Sequence, residues 1–293
     1  MTAVGTAAAR STLPDALVSV DWARDHLDDP KVRFIEVDVD TASYDTGHLP
    51  GAVGFNWETQ LTDPARRDLA TREQLQQLLR DAGVNDDTTI VLYGDNNNWF
   101  AAWAYWQLRY QGIDNVKLLD GGRARVEASG LPLTTDAPAH GAGNVTLPET
   151  TREELRAYRD QVIEGAAGSR AFVDVRSPEE YRGELAAPPH LPQEAAQRKG
   201  HVPGAVNVPW SKVVAEDGTF LPVSALRELY AAKGITGDRE TVAYCRIGER
   251  SSHTWFVLHE LLDYPNVRNY DGSWTEYGSL VGVPIETGDG SSN

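Results

Sequence analysis

The single cysteine of the chain closes an apolar run and is followed by a short cationic loop. Cys245 ends the run TVAYC, RIGER follows, and a helical pattern is predicted to begin at about Ser251, a good capping residue. Gly248 lets the intervening backbone turn sharply. Backbone N–H groups of such a turn, with the positive end of the next helix, can bind an anion. The pattern therefore predicts an anion-binding loop with a cysteine at its rim.

Two arginines make this loop a candidate site for nucleophilic chemistry. Arg246 and Arg250 would favour the thiolate form of Cys245 if they point inward, and they would also bind an anionic substrate. The alternative is a buried, inert cysteine between solvated arginines, as is common for a lone cysteine. The strand–loop–helix context favours a reactive cysteine. The predicted loop contains four further residues, Ile247, Gly248, Glu249 and Ser251.

Composition excludes several classes of protein. The 293 residues carry a formal charge of -16 and one cysteine, so no intrachain disulfide can form. The acidic balance argues against nucleic acid and anionic membranes as partners, because both need a cationic surface. No apolar run is long enough for a transmembrane helix, and the first 19 residues resemble a loose tail. No metal-ligand spacing is present. We therefore expect a cytoplasmic protein without a metal.

An internal repeat organises the chain. GHLPGAVGFNW (47–57) matches GHVPGAVNVPW (200–210), and NVKLLDGGRARV (115–126) matches NVRNYDGSWTEY (266–277). FIEVD (34–38) likewise matches FVDVR later in the chain. Several matched blocks in the same order indicate two homologous domains.

Each copy alternates short β-branched runs with segments of helical periodicity. This alternation predicts an α/β fold with two tandem domains, each a mainly parallel sheet flanked by helices. The linker is predicted at 134–150, and we divide the chain into a first domain, 1–140, and a second domain, 141–293. In such folds the functional site lies at the carboxyl ends of the strands.

Only the second copy carries a nucleophile. Gly94 faces Cys245 in the aligned repeats, and the loop of the first copy is GDNNNWF, which has no cationic residue. The first domain is therefore predicted to be non-catalytic. Its aromatic residues recur near helical spacing, and we interpret them as core and domain contacts rather than a ligand platform.

Other candidates have weaker signals. Asp174 and Arg176 end a predicted strand on the same edge as Cys245 and could pair to support the loop or its neighbouring turn. His201 has a counterpart at His48 in the copy without cysteine, which favours a structural role. His253 is expected to face the core or solvent. The insertion at 182–199 has three prolines and could wall the site or bridge the domains.

The paired DxR/GHxPGA blocks, the YCRIGERS loop and the YDGSW segment together resemble a tandem-domain rhodanese, a thiosulfate sulfurtransferase. CRIGERSSHTWFVL and NNNWF are most similar to the actinobacterial group of this family. The resemblance covers nearly the whole chain. It implies that Cys245 attacks the outer sulfur of thiosulfate, releases sulfite and holds a persulfide that cyanide, a thiol or a protein acceptor then takes. No cofactor beyond the cysteine persulfide is implied, and we expect a monomer.

The resemblance also has departures. Vertebrate-type rhodaneses have a lysine at the position of Ile247 and an arginine at that of Glu180, so Arg182 or Arg250 would have to compensate in binding the donor. The alternatives are a 3-mercaptopyruvate sulfurtransferase, whose loop lacks a counterpart of Arg246, a cysteine phosphatase or arsenate reductase, and a non-catalytic sulfur-relay binding module. A phosphatase would need its arginine at Ser251, one position later than Arg250.

Overall fold

The computed structural model describes residues 14–166, 168–187 and 195–289, which form two parallel sheets, a small hairpin and surrounding helices. The strands are β1 (Leu17–Val18), β2 (Val32–Asp38), β3 (Val53–Asn56), β4 (Thr62–Asp63), β5 (Asp68–Leu69), β6 (Thr89–Tyr93), β7 (Val116–Leu119), β8 (Ala171–Asp174), β9 (Val206–Asn207), β10 (Thr241–Tyr244) and β11 (Val267–Tyr270). The helices are α1 (Val20–Asp25), α2 (Ala42–Thr46), α3 (Arg72–Asp81), α4 (Asp95–Tyr110), α5 (Gly122–Ala128), α6 (Arg159–Gly165), α7 (Pro178–Arg182), α8 (Val223–Ala231), α9 (Glu249–Phe256) and α10 (Ser273–Tyr277).

The two sheets have related strand orders. The first runs β1-β7-β6-β2-β3 and the second β11-β10-β8-β9, and all of these neighbouring strands are parallel. Strands β4 and β5 form a separate antiparallel hairpin. The predicted α/β class, with two mainly parallel sheets flanked by helices, is confirmed.

Sequence patterning explains how the sheets are covered. Along β6, Ile90 and Leu92 face one apolar cluster, whereas Val91 and Tyr93 face another, because successive side chains of a strand point to opposite faces. Helix α3 begins at a capping box in which Thr71 and Gln74 satisfy each other's backbone N–H groups. Both faces of the first sheet are therefore buried.

One apolar cluster spans the two halves of the chain. It contains residues of both sheets and of the facing helices α4 and α9. At this interface the rings of Tyr105 and Phe256 are perpendicular, with centroids 4.8 Å apart, and Trp106 is fully buried. The aromatic residues of α4 are core and domain contacts, as predicted.

The repeat is visible in matched histidine contacts. The His48 ring stacks on Tyr44 at 3.8 Å, and the His201 ring stacks on Tyr181 at 3.7 Å. In each pair the histidine Nδ1 hydrogen-bonds the carbonyl oxygen of the tyrosine, at 3.0 and 2.8 Å. Each histidine joins its GHxPGA turn to the short helix that carries the tyrosine, which confirms their predicted structural role.

Residues of the linker lie along the first half. The N–H groups of Gly143 and Val145 donate to carbonyl oxygens of Arg80 and Val84. The division at 140/141 stays a prediction. Of the 182–199 insertion, 188–194 lie outside the described residues. Its end packs on α10, where the indole N–H of Trp274 donates to the carbonyl of Arg198 at 3.0 Å.

Candidate active site

The carboxyl end of β10 holds Cys245 between the two loops that follow β10 and β11. The N–H of Cys245 donates to Ser273 Oγ at 3.0 Å, and its carbonyl accepts the N–H of Trp274 at 3.1 Å. Because β10 and β11 are parallel neighbours, their carboxyl ends meet at one edge of the sheet. The backbone of Cys245 is thus attached to the start of α10, at the sheet edge that the sequence predicts.

The sulfur atom lies in a closed pocket of donors with one carboxylate. The N–H of Gly248 donates to Sγ at 3.2 Å, and the thiol donates to Glu249 Oε2 at 3.4 Å. Ser273 Oγ lies 3.9 Å from Sγ and donates to the carbonyl of Tyr270 at 2.6 Å. The cysteine is 0 % exposed, so it does not lie at a solvent-facing rim.

The surroundings of Cys245 raise its pKa, which is the opposite direction to the expectation that the loop favours the thiolate. Burial raises the pKa of Cys245 above its ordinary value, and the negative charge of Glu249 raises it further. Arg250 and the N–H groups of Gly248 and Ser251 act in the opposite direction without outweighing these two causes. The sequence pattern showed the favourable donors but not the depth of burial or the direction of the Glu249 side chain.

Helix α9 begins at Glu249 rather than near Ser251, so the prediction that Glu249 and Ser251 are loop residues was wrong. Gly248 precedes the helix with φ 110°, a left-handed conformation that favours glycine. A Cβ at this position would lie 2.9 Å from Cα of Asp271. Because Gly248 has no Cβ, the loops after β10 and β11 can come into close contact at this point. Helix α9 then begins at the next residue, Glu249.

Arg250 is buried beside the cysteine but is shared with two carboxylates. Its Nη1 and Nη2 atoms lie 3.2 and 3.4 Å from the carboxylate oxygens of Glu180, and its Nε lies 3.4 Å from Glu249 Oε1. Burial alone would raise the pKa of Glu180, but the charge and hydrogen bonds of Arg250 bring it below the ordinary value. The guanidinium also lies over the Trp99 ring, 5.9 Å from its centroid, so the first half reaches the site.

Arg246 and Ile247 occupy the outer part of the loop. Arg246 is 3 % exposed, and its carbonyl accepts the N–H and hydroxyl of Thr275 at 3.1 and 3.0 Å. The carbonyl of Ile247 accepts from Nη2 of Arg67 at 3.1 Å. Nη1 of the same arginine donates to the carbonyl of Asp271 at 3.3 Å. A residue of the β4–β5 hairpin thus joins the two loops around the cysteine, a contact that the sequence analysis missed.

Ser251 supports the loop from within α9. Its hydroxyl lies 3.0 Å from the carbonyl oxygen of Gly248 and 2.6 Å from Oδ1 of Asn269 on β11. Nδ2 of Asn269 donates to Ser252 Oγ at 2.8 Å, and this hydroxyl in turn reaches the carbonyl of Gly248 at 2.8 Å. These bonds attach the start of the helix to the neighbouring strand.

Asp174 and Arg176 form a buried ion pair at the end of β8. Nε of Arg176 lies 3.0 Å from Oδ1 of Asp174, and Nη2 lies 2.5 Å from Oδ2. Nη2 also donates to the carbonyl of Gly200 at 2.7 Å, and the guanidinium lies 4.6 Å from the ring centroid of Trp274. The pair connects the sheet edge to the GHVPGA turn and to α10, whose first residues bind the backbone of Cys245.

Arg182 pairs with acidic residues of its own segment. Nε of Arg182 lies 2.7 Å from Glu184 Oε1, and Nη2 lies 3.8 Å from Glu179, with the side chain partly exposed. None of these contacts involves the cysteine loop. Its predicted role in binding the donor therefore stays a prediction with no contact to support it.

The equivalent edge of the first half has no room for a cysteine. A Cβ on Gly94 would lie 2.2 Å from the carbonyl oxygen of Val37. Asp38 fills the adjacent space, and its Oδ1 accepts the N–H of Asp95 at 2.7 Å. Burial raises the pKa of Asp38 to about 9, and the charge of Asp95 adds to this shift. The carboxyl group of Asp38 therefore accepts the backbone N–H of Asp95 at the start of this loop.

The strand-end ion pair also occurs in the first half with its arginine in a different place. Glu36 aligns with Asp174 and is paired with Arg123, whose Nη1 lies 2.5 Å from Oε1 of the buried carboxylate. Arg123 aligns with Trp274, and the position of Arg176 is taken by Asp38. Both halves therefore have a buried carboxylate at this position. In the first half its arginine comes from α5, whereas in the second half it comes from the segment directly after β8.

A cleft of about 840 Å³ lies between the halves, and Ile247 of the cysteine loop is one of its lining residues. Its walls contain aromatic, cationic and acidic side chains from both halves, and the acidic ones are Glu58, Asp63, Asp68, Asp160, Asp271 and Glu276. The aromatic and cationic ones are Trp57, Arg66, Arg67 and Trp103 from the first half, and Arg156, Tyr158, Arg159 and Tyr270 from the second. Arg156 crosses the cleft, donating to Asp68 at 2.8 Å and to both oxygens of Asp271 at 3.0 and 2.9 Å.

Comparison with known proteins identifies the family. The model of the rhodanese-like domain matches residues 19–129 and 155–280, one match in each half. The chain belongs to the rhodanese family. The resemblance noted for the cysteine loop and the paired turns is therefore confirmed over both domains.

Individual rhodanese relatives agree with this family. A protein of Mycolicibacterium smegmatis named "Putative thiosulfate sulfurtransferase" is 56% identical over 274 residues, covering 94% of this chain and 98% of the relative. "Sulfur carrier protein TtuD" of Thermus thermophilus is 53% identical over 280 residues, with 94% and 98% coverage. The crystal structure of SseA from Escherichia coli, a 3-mercaptopyruvate sulfotransferase, matches with TM-score 0.76 and 28% identity over 88% of this chain and 98% of that chain. The chain is a rhodanese-fold member of the sulfurtransferase family.

Two further findings concern the described residues alone. They contain no group of three or more His, Cys, Asp and Glu side chains that could hold a metal ion. None of the helices within 14–166, 168–187 and 195–289 is long and apolar enough to cross a membrane.

Proposed function

We propose that this protein is a thiosulfate sulfurtransferase that carries sulfane sulfur on Cys245. The observation that carries the proposal is the sulfur pocket, where the N–H of Gly248 donates to Sγ at 3.2 Å. Fixed N–H donors with an arginine beside them favour a sulfur anion, and here they offset part of the effect of burial and of Glu249 on Cys245. The same donors would stabilise the charged outer sulfur of a persulfide.

The reaction divides into two displacements on sulfur. In the first, the thiolate of Cys245 attacks the outer sulfur of thiosulfate, the S–S bond of the donor breaks, and sulfite leaves with the electron pair. In the second, a thiophilic acceptor such as cyanide attacks the outer sulfur of the persulfide and leaves as thiocyanate, which regenerates the thiolate. No metal or organic cofactor takes part in either step.

The donor would approach through the cleft that Ile247 lines. Arg246 and Arg250 are its proposed anion contacts, because they are the cations of the cysteine loop and of the helix that follows it. Because Glu180 already pairs with Arg250, the arginine is pre-positioned beside the sulfur and is only partly available to the donor. The physiological acceptor would be a small thiol or a protein, in line with the relative named as a sulfur carrier.

The cellular setting belongs to the same proposal. A single thiol that must cycle between thiolate and persulfide suits the reducing cytoplasm. Helices α4 and α9 pack against each other, so each half buries apolar surface against the other half of the same chain. This internal burial supports a monomer.

A second candidate is a 3-mercaptopyruvate sulfurtransferase. The likeness to SseA over almost its whole length favours it. The two arginines that flank the cysteine loop suit the doubly charged thiosulfate better than a monocarboxylate, so we place thiosulfate first. Comparing kcat/KM for the two donors decides between them, and a higher value for mercaptopyruvate would overturn the choice.

Intact-mass measurement tests sulfur loading directly. Incubation with thiosulfate should add about 32 Da, one sulfur atom on the reactive thiolate, and cyanide should remove it. Cys245→Ser should show no gain under the same conditions. A folded wild-type protein that gains no mass would refute the proposed function, and a gain in the serine variant would refute the assignment of the site.

A further inference from the structure

Glu249 is the acidic side chain in contact with the reacting sulfur. It lies in the first turn of α9, is 2 % exposed, and its Oε2 is 3.4 Å from Sγ. Its other oxygen faces Nε of Arg250 at 3.4 Å. A buried carboxylate beside a buried thiol is costly unless it has a partner, and these two contacts provide one on each oxygen.

The remaining groups around the sulfur donate protons rather than accept them. The N–H groups of Gly248 and Ser251 and the guanidinium of Arg250 are donors. The Ser273 hydroxyl is directed to the carbonyl of Tyr270. Within the described part of the chain, the acceptor that the thiol hydrogen-bonds is Glu249. A sulfur that is 0 % exposed can therefore pass its proton to this carboxylate without contact with solvent.

We propose that Glu249 is the proton acceptor of Cys245 in the first displacement. The inference deepens the proposed function and depends on it. The S–H bond of Cys245 breaks and an O–H bond forms on Oε2, while the thiolate electron pair attacks the outer sulfur of the donor. Sulfite leaves with its electron pair, and Glu249 stays protonated beside the anionic persulfide. When the acceptor removes the sulfur, the thiolate recovers its proton from Glu249.

The charges around the pair favour this sequence. Once Glu249 is neutral, the nearest charge acting on the sulfur is that of Arg250, which stabilises the anion. The other charged groups near the loops are already paired. Glu180 of α7 is bonded to Arg250, and Asp271 of the loop after β11 is bonded to Arg156. Arg67 contacts only loop carbonyl oxygens in this region.

The role of Glu249 can be tested by measuring the rate at which thiosulfate loads sulfur onto Cys245 in a single turnover at a series of pH values. The loading is followed by protein mass or by the release of sulfite. In the wild type the rate should be nearly independent of pH around neutrality, because the proton acceptor is built in. In Glu249→Gln the rate near neutral pH should fall about a hundredfold, the usual scale of general-base catalysis. It should then rise with pH in parallel with the thiolate absorbance, and approach the wild-type rate in alkaline solution.

A purely electrostatic role gives the opposite result and would overturn the proposal. Removing the charge of Glu249 would then make the thiolate form at lower pH, and loading would be unchanged or faster. Glu228→Gln, on the exposed face of α8, is the matched control for loss of a carboxylate and should load as the wild type does.

A second variant keeps the test valid if Glu249→Gln does not fold. Glu249→Asp withdraws the carboxylate by one methylene, so its loading should be slower while the flat pH profile remains. Wild-type loading rates in this variant would also overturn the proposal. If the wild type itself gains no sulfur, the proposed function fails instead, and the two failures are thereby distinguished.

Discussion

His253 should make the stability of this protein sensitive to mild acid. The residue is fully buried in α9, with its ring stacked on Phe220 at 4.7 Å and perpendicular to Trp210 at 6.1 Å. Burial lowers the pKa of His253 to about 3, because the charged imidazolium would lose its hydration in this apolar setting. The folded state therefore holds the neutral ring under all mild conditions.

The magnitude follows from proton linkage. An unfolded histidine has a pKa of about 6.5. At pH values between the folded and the unfolded pKa of His253, the unfolded state therefore binds a proton that the folded state does not bind. The free energy of unfolding is unaffected by His253 above the unfolded pKa of this residue, and it decreases as the pH falls below that value. At about pH 5 the loss is roughly 1.5 pH units at about 1.4 kcal/mol each, or about 2 kcal/mol.

His253→Phe removes the proton site and keeps a ring of similar size against Phe220. Urea unfolding of both proteins at about pH 7.5 and about pH 5 gives two free-energy differences. The wild type should lose about 2 kcal/mol more than the variant between these conditions. His259→Phe is the control, because it removes an imidazole from a partly exposed ring that stacks on Trp255 at 4.6 Å. Equal pH dependence in wild type and His253→Phe would refute the reasoning.

Three further predictions concern the site. Arg176→Ala leaves the buried carboxylate of Asp174 without its partner, so the free energy of unfolding in urea should fall by about 3–5 kcal/mol; a fall below about 1 kcal/mol would contradict a buried pair. Arg67→Ala removes two charge-assisted bonds to the loop carbonyls and should slow sulfur loading several-fold, at a stability cost of about 1 kcal/mol or more, with Arg67→Lys recovering part of the rate. Titration of the thiolate absorbance should place the pKa of Cys245 in the substrate-free protein above that of an ordinary cysteine, and a thiolate at neutral pH would disprove the buried resting state.

The repeat and the cysteine loop were predictable because their signals are local. Matched blocks such as GHLPGA and GHVPGA occur wherever the same turn is built twice, and the alternation along β6 follows directly from strand geometry. The aromatic spacing of α4 was likewise enough to predict a core position for Trp106. These features depend on neighbours along the chain.

The contacts that set the chemistry of the site were not predictable in the same way. Arg67 reaches the cysteine loop only because the β4–β5 hairpin lies across the cleft, and no pattern in the first half indicates where that hairpin packs. The pairing of Arg250 with Glu180 joins residues far apart in the chain. Glu249 faces the sulfur because the helix begins earlier than expected, and a shift of two residues turns a side chain to another face. Side-chain direction in the first turn of a helix depends on that start.

The different source of the arginine in the two strand-end ion pairs has an evolutionary consequence. Neighbouring copies of a duplicated gene segment can overwrite each other by recombination. Joining the strand of the first copy to the loop of the second would place Glu36 and Asp38 near Trp274 without an arginine, at a cost of several kcal/mol. The reverse exchange would place two arginines beside one carboxylate. An exchange of parts between the two copies would therefore leave this buried carboxylate either without an arginine or with two.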